Sequence, residues 1–561
     1  MNNKKIRYSL VVTALLFTAC GSSGSNSHNI NSNSTSQEPT TTTIPANHFV
    51  NQKILGGETT DVEYSSSTHA FSQPAANLKG ELFDYHIEGD ANFELIPEGV
   101  GPVFNHNNCN ACHQRDGRDS LPVLTGEKEY LSNYIVKDKN GWFKLNDEGT
   151  FLRISIESNT INNAPKNKDN CWGSPVPVPN FSDQLFHRGV AGVREGAENT
   201  GAGQADVWMK YGYKTVKYPD GTEVKLSYPI FGVDNPYDAP DNANEYNPIK
   251  VENNATSRLF RPDVRIGTRI GMPMIGLGLL NAIPEADILA LADINDSDGD
   301  GISGKPNWVC DQDKVNKCKA ENNCHSNPPI SLGRFGWKAN TPTVAHQGLG
   351  AMRGDMGVTN PLFKMESTAG TDLMKKYKEN NPNFTTYCDT DVTDADERFA
   401  KSIVFYSETL SVPPRRNVND QAVKEGGMLF ESLGCVKCHN PSFTTASKYT
   451  SYSVDGKEIK ELENQKIYPF TDMLLHDMGA DLADGRKDFD ASGSEWKTRP
   501  LWGIGATQTI NPGAGFLHDG RARTLEEAIL WHGGEADAIK TNFMNLEKDK
   551  REKVIKFLES L

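Results

Sequence analysis

The sequence has no surplus of positive charge. Over 561 residues, 58 Lys and Arg stand against 73 Asp and Glu, a formal net charge of −15. Nucleic-acid phosphates need a basic footprint, so the balance argues against a nucleic-acid partner. It also argues against broad docking on anionic lipid. Long hydrophobic runs are missing too: beyond residue 20 no stretch is apolar enough to span a bilayer. Cysteine is sparse, with 10 in the chain. The two Cys-x-x-Cys pairs are both followed by His, so dithiol redox chemistry has no motif of its own here.

The first residues read as a targeting segment. Lys4, Lys5 and Arg7 precede the apolar stretch Leu10 to Phe17, which is too short to cross a membrane. The run Leu16-Phe17-Thr18-Ala19-Cys20-Gly21 resembles a bacterial lipobox, which implies lipidation of Cys20. An ordinary cleaved signal peptide is the alternative. Gly21 in place of Asp resembles the sorting pattern of outer-membrane lipoproteins, so the expected location is the periplasmic face of the outer membrane. Contact with the membrane is then expected through the anchor only. From Ser22 to about Pro45 the composition is Ser, Asn and Thr, too polar to offset its ordering entropy. The expected division is a signal peptide over 1–19, a flexible tether over 20–60, an N-terminal domain over 61–414 and a C-terminal domain over 415–561.

Two stretches share one pattern: Gly101-x-x-Phe104-x4-Cys109-Asn110-Ala111-Cys112-His113 and Gly427-x-x-Phe430-x4-Cys435-Val436-Lys437-Cys438-His439. Cys-x-x-Cys-His is the attachment signature of c-type haem. Two thiols three positions apart can each add to one vinyl group of the porphyrin, and the adjacent His can ligate the iron. With 13 His and 10 Cys in the chain, about 0.004 such pentapeptides are expected by chance. Two covalently bound haems are therefore expected, on Cys109, Cys112 and His113 and on Cys435, Cys438 and His439. Asp420 can cap a helix running through Phe430 into the second motif. Val554, Phe557, Leu558 and Leu561 fall on one face of a terminal helix.

Past residue 515 the sequence reads Phe516-Leu517-His518-Asp519-Gly520-Arg521-Ala522-Arg523-Thr524-Leu525-Glu526-Glu527-Ala528. Thr524 and Glu527 have capping-box spacing. Leu525, Ala528, Ile529 and His532 share a helix face, and Gly533 and Gly534 end it. An imidazole so placed is a candidate iron ligand or a satisfied core histidine, with Met478 and His476 as further ligand candidates.

These phrases, with Gly333-Arg334-Phe335-Gly336-Trp337-Lys338, Asp355-Met356-Gly357, Leu475-His476-Asp477-Met478-Gly479 and Thr498-Arg499-Pro500-Leu501-Trp502-Gly503, resemble the bacterial di-haem cytochrome c peroxidase and MauG superfamily. Within it they resemble the large di-haem oxidoreductases sometimes labelled predicted thiol oxidoreductases. The likeness covers most of the chain from about residue 75. It implies a mainly α fold of two cytochrome-c-like haem domains, the N-terminal one enlarged by loops and short β-strands. It also implies that His439 and His532 ligate the C-terminal haem iron, and that His518 and Arg521 sit beside the haem propionates. The N-terminal haem, on His113, is implied to be the reactive one, fed with electrons through the C-terminal haem. Its sixth ligand is open, with His187 and His346 uncommitted. The stretch from Trp337 to Asp355 is the candidate distal lining: Asp355 as acid, Gln347 as polar helper, and Trp337 as an electron relay or a core residue.

The loop Asp293-Ile-Asn295-Asp296-Ser297-Asp298-Gly299-Asp300-Gly301 suggests calcium on Asp296, Asp298 and Asp300. Asn307 stands at the twelfth position where an EF-hand has Glu, and a solvated turn is the alternative. Cys171, Cys310, Cys318, Cys324 and Cys388 remain, and in an oxidising compartment most should pair, with one local bridge in the 310/318/324 trio. Tyr213 to Tyr228, around Pro219-Asp220-Gly221, reads as a hairpin. The leading expectation is an enzyme acting on a small oxidant such as peroxide with a periplasmic electron-transfer protein as donor. An electron-transfer cytochrome and an accessory lipoprotein of iron uptake are the other classes.

Overall fold

Each Cys-x-x-Cys-His segment follows a helix, and each of those helices is crossed by another from later in the chain. In this computed structural model the described residues are 44–561, apart from 46, 64–66, 122–123, 126–127, 130–141, 146–148, 158–173, 194–200, 239–256, 325–328 and 386–391. The targeting segment and Cys20 lie outside them, as do Cys171 and Cys388.

The elements that position the sites are, in chain order, α1 (Glu81–Glu94), β1 (Thr150–Ile156), β2 (Asp206–Lys217), β3 (Glu223–Asp234), β4 (Val264–Ile270), α2 (Val344–Met356), α3 (Glu397–Thr409), α4 (Gln421–Ser432), α5 (Leu525–Trp531) and α6 (Lys548–Ser560). Helix α1 packs on α3, and α4 packs on α6. Both crossings are close because a glycine lies in each. A Cβ on Gly89 would meet the Ser402 carbonyl oxygen at 2.3 Å, and one on Gly426 would meet that of Lys553 at 1.9 Å. Four residues after each glycine comes a phenylalanine. Phe93 lies 5.2 Å from Tyr406 and 6.2 Å from His113. Phe430 lies 5.2 Å from Phe557 and 6.2 Å from His439.

These paired distances correct the expected repeat. The counterpart of Phe430 is Phe93; Phe104 lies in the short strand Val103–Phe104, paired with Arg188–Gly189. A longer segment separates helix from motif in the first half, so the matching upstream Gly and Phe spacing was not the structural equivalence.

Local sequence explains the helix ends. The Asp420 carboxylate accepts from Ala422 N at 2.7 Å and starts α4. Thr524 Oγ1 accepts from Glu527 N at 3.1 Å and starts α5. The Glu527 carboxylate reaches Arg523 N at 2.9 Å, one residue before the cap, so the box closes one position out of register. Helix α6 buries Val554, Phe557 and Leu558, with Leu561 just beyond it.

Strands are more than short insertions here: helix makes up 32% of the chain and strand 18%. The expected hairpin is present and longer than its turn signal suggested, with β2 and β3 pairing antiparallel from Asp206–Asp234 to Lys217–Glu223. A second sheet pairs β1 with β4 and with Gln184–Leu185. Leu152, Ile154, Leu185, Val207 and Met209 build the core between these strands. The hairpin tip reaches the C-terminal helices, where Tyr218 donates to Glu526 at 2.7 Å and Arg551 pairs with Asp220 at 2.7 Å.

The stretch 47–60, expected as tether, is folded instead. Phe49, Val50 and Leu55 are buried, Phe49 packs edge-on against Phe470 and Phe557, and Arg415 donates to the Phe49 and Val50 carbonyls. From Ala46 to Leu561 the chain forms one compact unit.

Candidate functional site: two cysteine-histidine cavities

Each motif closes one end of a cavity. The C-terminal cavity, about 1380 Å³ with its mouth, is walled by Cys435, Cys438, His439, Phe430, Ile529 and His532, with Trp496 and His518 opposite. The N-terminal one, about 860 Å³, is walled by Cys109, Cys112, His113, Phe93, Met272 and Met352, with Gln347 and Asp355 from α2.

The four motif cysteines are free thiols. Burial pushes Cys109 and Cys435 up to about 12 and raises Cys112 and Cys438, so all four stay protonated at neutral pH. Elsewhere the chain does form a disulfide, Cys318–Cys324. That is the local bridge expected within the cysteine trio, and Cys310 is disulfide-bonded as well.

The histidines are aimed by backbone. His113 Nδ1–H donates to the Met272 carbonyl at 2.7 Å, and His439 Nδ1–H to that of Phe470 at 3.0 Å. His532 Nδ1–H donates to Ala528 O at 2.7 Å. A ring fixed this way leaves Nε2 as the lone-pair nitrogen, the form in which imidazole ligates a metal. Burial lowers His439 to about 4, and His532 is lowered by burial too, so both rings are neutral. His532 thus faces the same cavity as His439, as the resemblance implied. Its place is the C-cap of α5 rather than the helix body, because Gly533 follows at once.

The other histidines have different work. His476 is clamped between Asp472 at 2.7 Å and Glu535 at 2.8 Å; both ring nitrogens are engaged, which removes it as a ligand. His187 lines neither cavity, and its Nδ1 meets Asn105 at 3.0 Å. His346 lies in the vestibule outside the N-terminal cavity. Met478 lines the C-terminal cavity.

His518 lines the C-terminal cavity, stacked on Trp496 at 3.8 Å. Arg521 does not. Its guanidinium is held by Asp519 at 2.8 Å and the Asp481 carbonyl at 2.6 Å, and it covers Trp531. Its expected place beside a propionate is therefore corrected: a carboxylate two residues away takes it. Lys540 lines the cavity but is paired with Asp537 at 2.7 Å; the other cations lining it are Arg118, Lys497 and Arg499, with Arg499 lining both cavities. Among the described residues none of the three has an ion-pair partner, and Arg118 Nε is buried without a hydrogen bond. Burial lowers Arg118 to about 9 and Arg499 to about 10. Buried cations of this kind need an anion, and sequence alone gives no sign of which arginines end up so placed.

Trp337 lines the C-terminal cavity and the vestibule, not the N-terminal cavity. Its indole N–H donates to Ile270 O at 3.0 Å, with Arg118 and Arg499 over its ring at 5.4 and 5.1 Å. Asp355 and Gln347, two turns apart on α2, do line the N-terminal cavity. Gln184 donates to Asp355 Oδ1 at 2.6 Å, and burial raises the carboxyl.

Apolar walls, thiols and an oriented imidazole fit a haem in each cavity, with Arg118, Lys497 and Arg499 available to its carboxylates in the C-terminal one and Arg499 in the N-terminal one. The family described as "Di-haem oxidoreductase, putative peroxidase" matches residues 49–561. The chain belongs to this family. No curated protein and no solved structure matches it. As a di-haem oxidoreductase it uses haem as cofactor, which accounts for two cavities and for the buried cations beside them.

In the acidic loop, Asp293, Asp296 and Asp298 bring carboxylate oxygens within 4.8 Å of one another. Asp300, expected among the calcium ligands, instead pairs with Lys437 of the second motif at 2.8 Å.

Proposed function

We propose that the protein is an exported, lipid-anchored peroxidase-like oxidoreductase with two covalently attached haems c. Each helix pair, α1 with α3 and α4 with α6, is read as the frame of one cytochrome-c-like haem unit. The observation that carries the reading is the asymmetry of the cavities. One holds a second imidazole, His532, tied by its Nδ1 as the motif histidines are; the other presents Gln347 and Asp355 on α2.

When bound, the haems supply the one-electron chemistry, with electrons received from a periplasmic electron-transfer protein at the C-terminal site and peroxide reduced to water at the N-terminal site. The chain's own groups would then move protons and exclude solvent. Asp355, its carboxyl raised by burial, is the proton-exchanging group inside the N-terminal cavity. The Gln347 oxygen accepts from Thr341 Oγ1 at 2.9 Å, which leaves the amide N–H groups for a small oxidant. Trp337, fixed by its N–H, stands in the wall between the sites. The Cys318–Cys324 bridge supports an oxidising compartment, and the Lys4–Cys20 segment supports an outer-membrane anchor facing the periplasm.

Electron paramagnetic resonance of the oxidised protein before and after peroxide tests the reading. One high-spin signal that disappears with peroxide, beside one low-spin signal, is expected. Two low-spin signals without peroxide turnover would make the protein an electron-transfer cytochrome instead.

A further inference from the structure

Outside the N-terminal cavity lies a wide vestibule of about 2000 Å³ with its mouth. It shares Cys112, His113, Gln347 and Asp355 with that cavity, so a molecule in it sits against the same site. Three arginines, Arg153, Arg353 and Arg486, line its wall together with Asp183. Arg153 lies 3.7 Å from Asp183. Burial alone would raise Asp183, yet Arg153, Arg353 and Arg486 together hold it below the usual carboxylate range. Arg486 spends one nitrogen on Asp488 at 2.9 Å, while its Nε is buried with no hydrogen-bond partner and its side chain is only 2% exposed. Arg353 spends its Nε on the Met365 carbonyl, which takes no charge away. Arg269, also on this wall, shares the Asp484 carboxylate with Lys338, at 2.7 and 3.3 Å. Among the described residues five cations, Arg153, Arg269, Lys338, Arg353 and Arg486, thus stand with four carboxylates, Asp183, Asp355, Asp484 and Asp488, and one positive charge is left over. Apolar rings complete the wall.

We propose that the vestibule binds a small organic acid, its carboxylate on Arg153, Arg353 and Arg486 and its apolar body against Phe151, Phe363 and Phe489. This names a ligand class for the approach to the N-terminal site and rests on reading that site as the reactive one. Asp183 is the group an incoming carboxylate displaces from the arginines, so it sets the affinity.

Titration calorimetry on the haem-loaded protein, with benzoate as probe and benzamide and sulfate beside it, tests the proposal. Benzoate should bind with a Kd below about 1 mM, and benzamide at least about tenfold more weakly because it has no charge to pair. Arg353→Gln and Arg153→Gln should each weaken benzoate about tenfold, while Asp183→Asn should tighten it, an opposite sign that simple loss of structure would not give. Equal binding of benzoate and benzamide would overturn the proposal. So would sulfate binding as tightly as benzoate, unchanged affinity in both arginine variants, or no heat with benzoate. Heat is read independently of spin state. A low-spin N-terminal haem with normal benzoate uptake would therefore refute the reactive-site reading alone, and a high-spin haem without uptake would refute this inference alone.

Discussion

Replacing Gly426 by alanine sets two effects against each other. Alanine is the better helix former by about 1 kcal/mol. The new Cβ, however, would stand 1.9 Å from the Lys553 carbonyl oxygen, a backbone atom of α6 that can retreat only if the whole helix shifts by about an ångström. Overpacking of this kind costs about 1–3 kcal/mol, and more where backbone must yield. The clash therefore wins, and the expected net loss is roughly 1–2 kcal/mol. Gly89→Ala should behave alike, since its Cβ would meet Ser402 O at 2.3 Å. Gly354→Ala, in α2, meets no heavy atom within 4 Å and should be neutral or stabilising by up to about 1 kcal/mol. Thermal unfolding followed by far-ultraviolet circular dichroism reads all three. A midpoint that rises in Gly426→Ala as it does in Gly354→Ala would refute the close-crossing argument, and with it the equivalence of the two helix pairs.

Glu366 is buried, and burial together with Asp394 raises its carboxyl to about 8. Its folded pKa lies above the unfolded value, so the stability it contributes is full below about 4.5 and is lost as pH rises through about 8. Glu366→Gln should flatten that decline, worth on the order of a few kcal/mol, in denaturation curves taken across the range; an unchanged slope would show that the carboxyl is solvated. Asp355→Asn should keep the Gln184 contact and the fold but lower peroxide turnover by about a hundredfold or more, and turnover within a factor of two would remove Asp355 from proton delivery. His532→Ala should abolish the bis-imidazole low-spin signal of the C-terminal haem and leave the N-terminal signal intact.

Much of this was legible in the sequence because the signals are local. Cys-x-x-Cys-His fixes thiols and imidazole within five residues, Asp420 and Thr524 cap helices through their own neighbours, and Pro219-Asp220-Gly221 turns a hairpin whose strands alternate. What could not be read depends on distant partners. Phe93 is tied to His113 across an inserted segment that hides the repeat. Arg521 and Arg118 look alike in sequence, yet Asp519 takes the first, while the second donates to the Leu517 carbonyl and has no ion-pair partner among the described residues. Asp300 seemed one more acidic ligand until folding brought it to Lys437. His532 lines the cavity of His439 from the end of a helix one residue shorter than its apolar face suggests, since the glycine pair stops α5.

The most direct test is the intact mass of protein matured in a haem-competent host. The account predicts a polypeptide carrying two porphyrin additions, reduced to one by Cys109→Ser with Cys112→Ser and to the other by Cys435→Ser with Cys438→Ser. A colourless chain at its bare mass, or one that keeps both additions in either double variant, would contradict it.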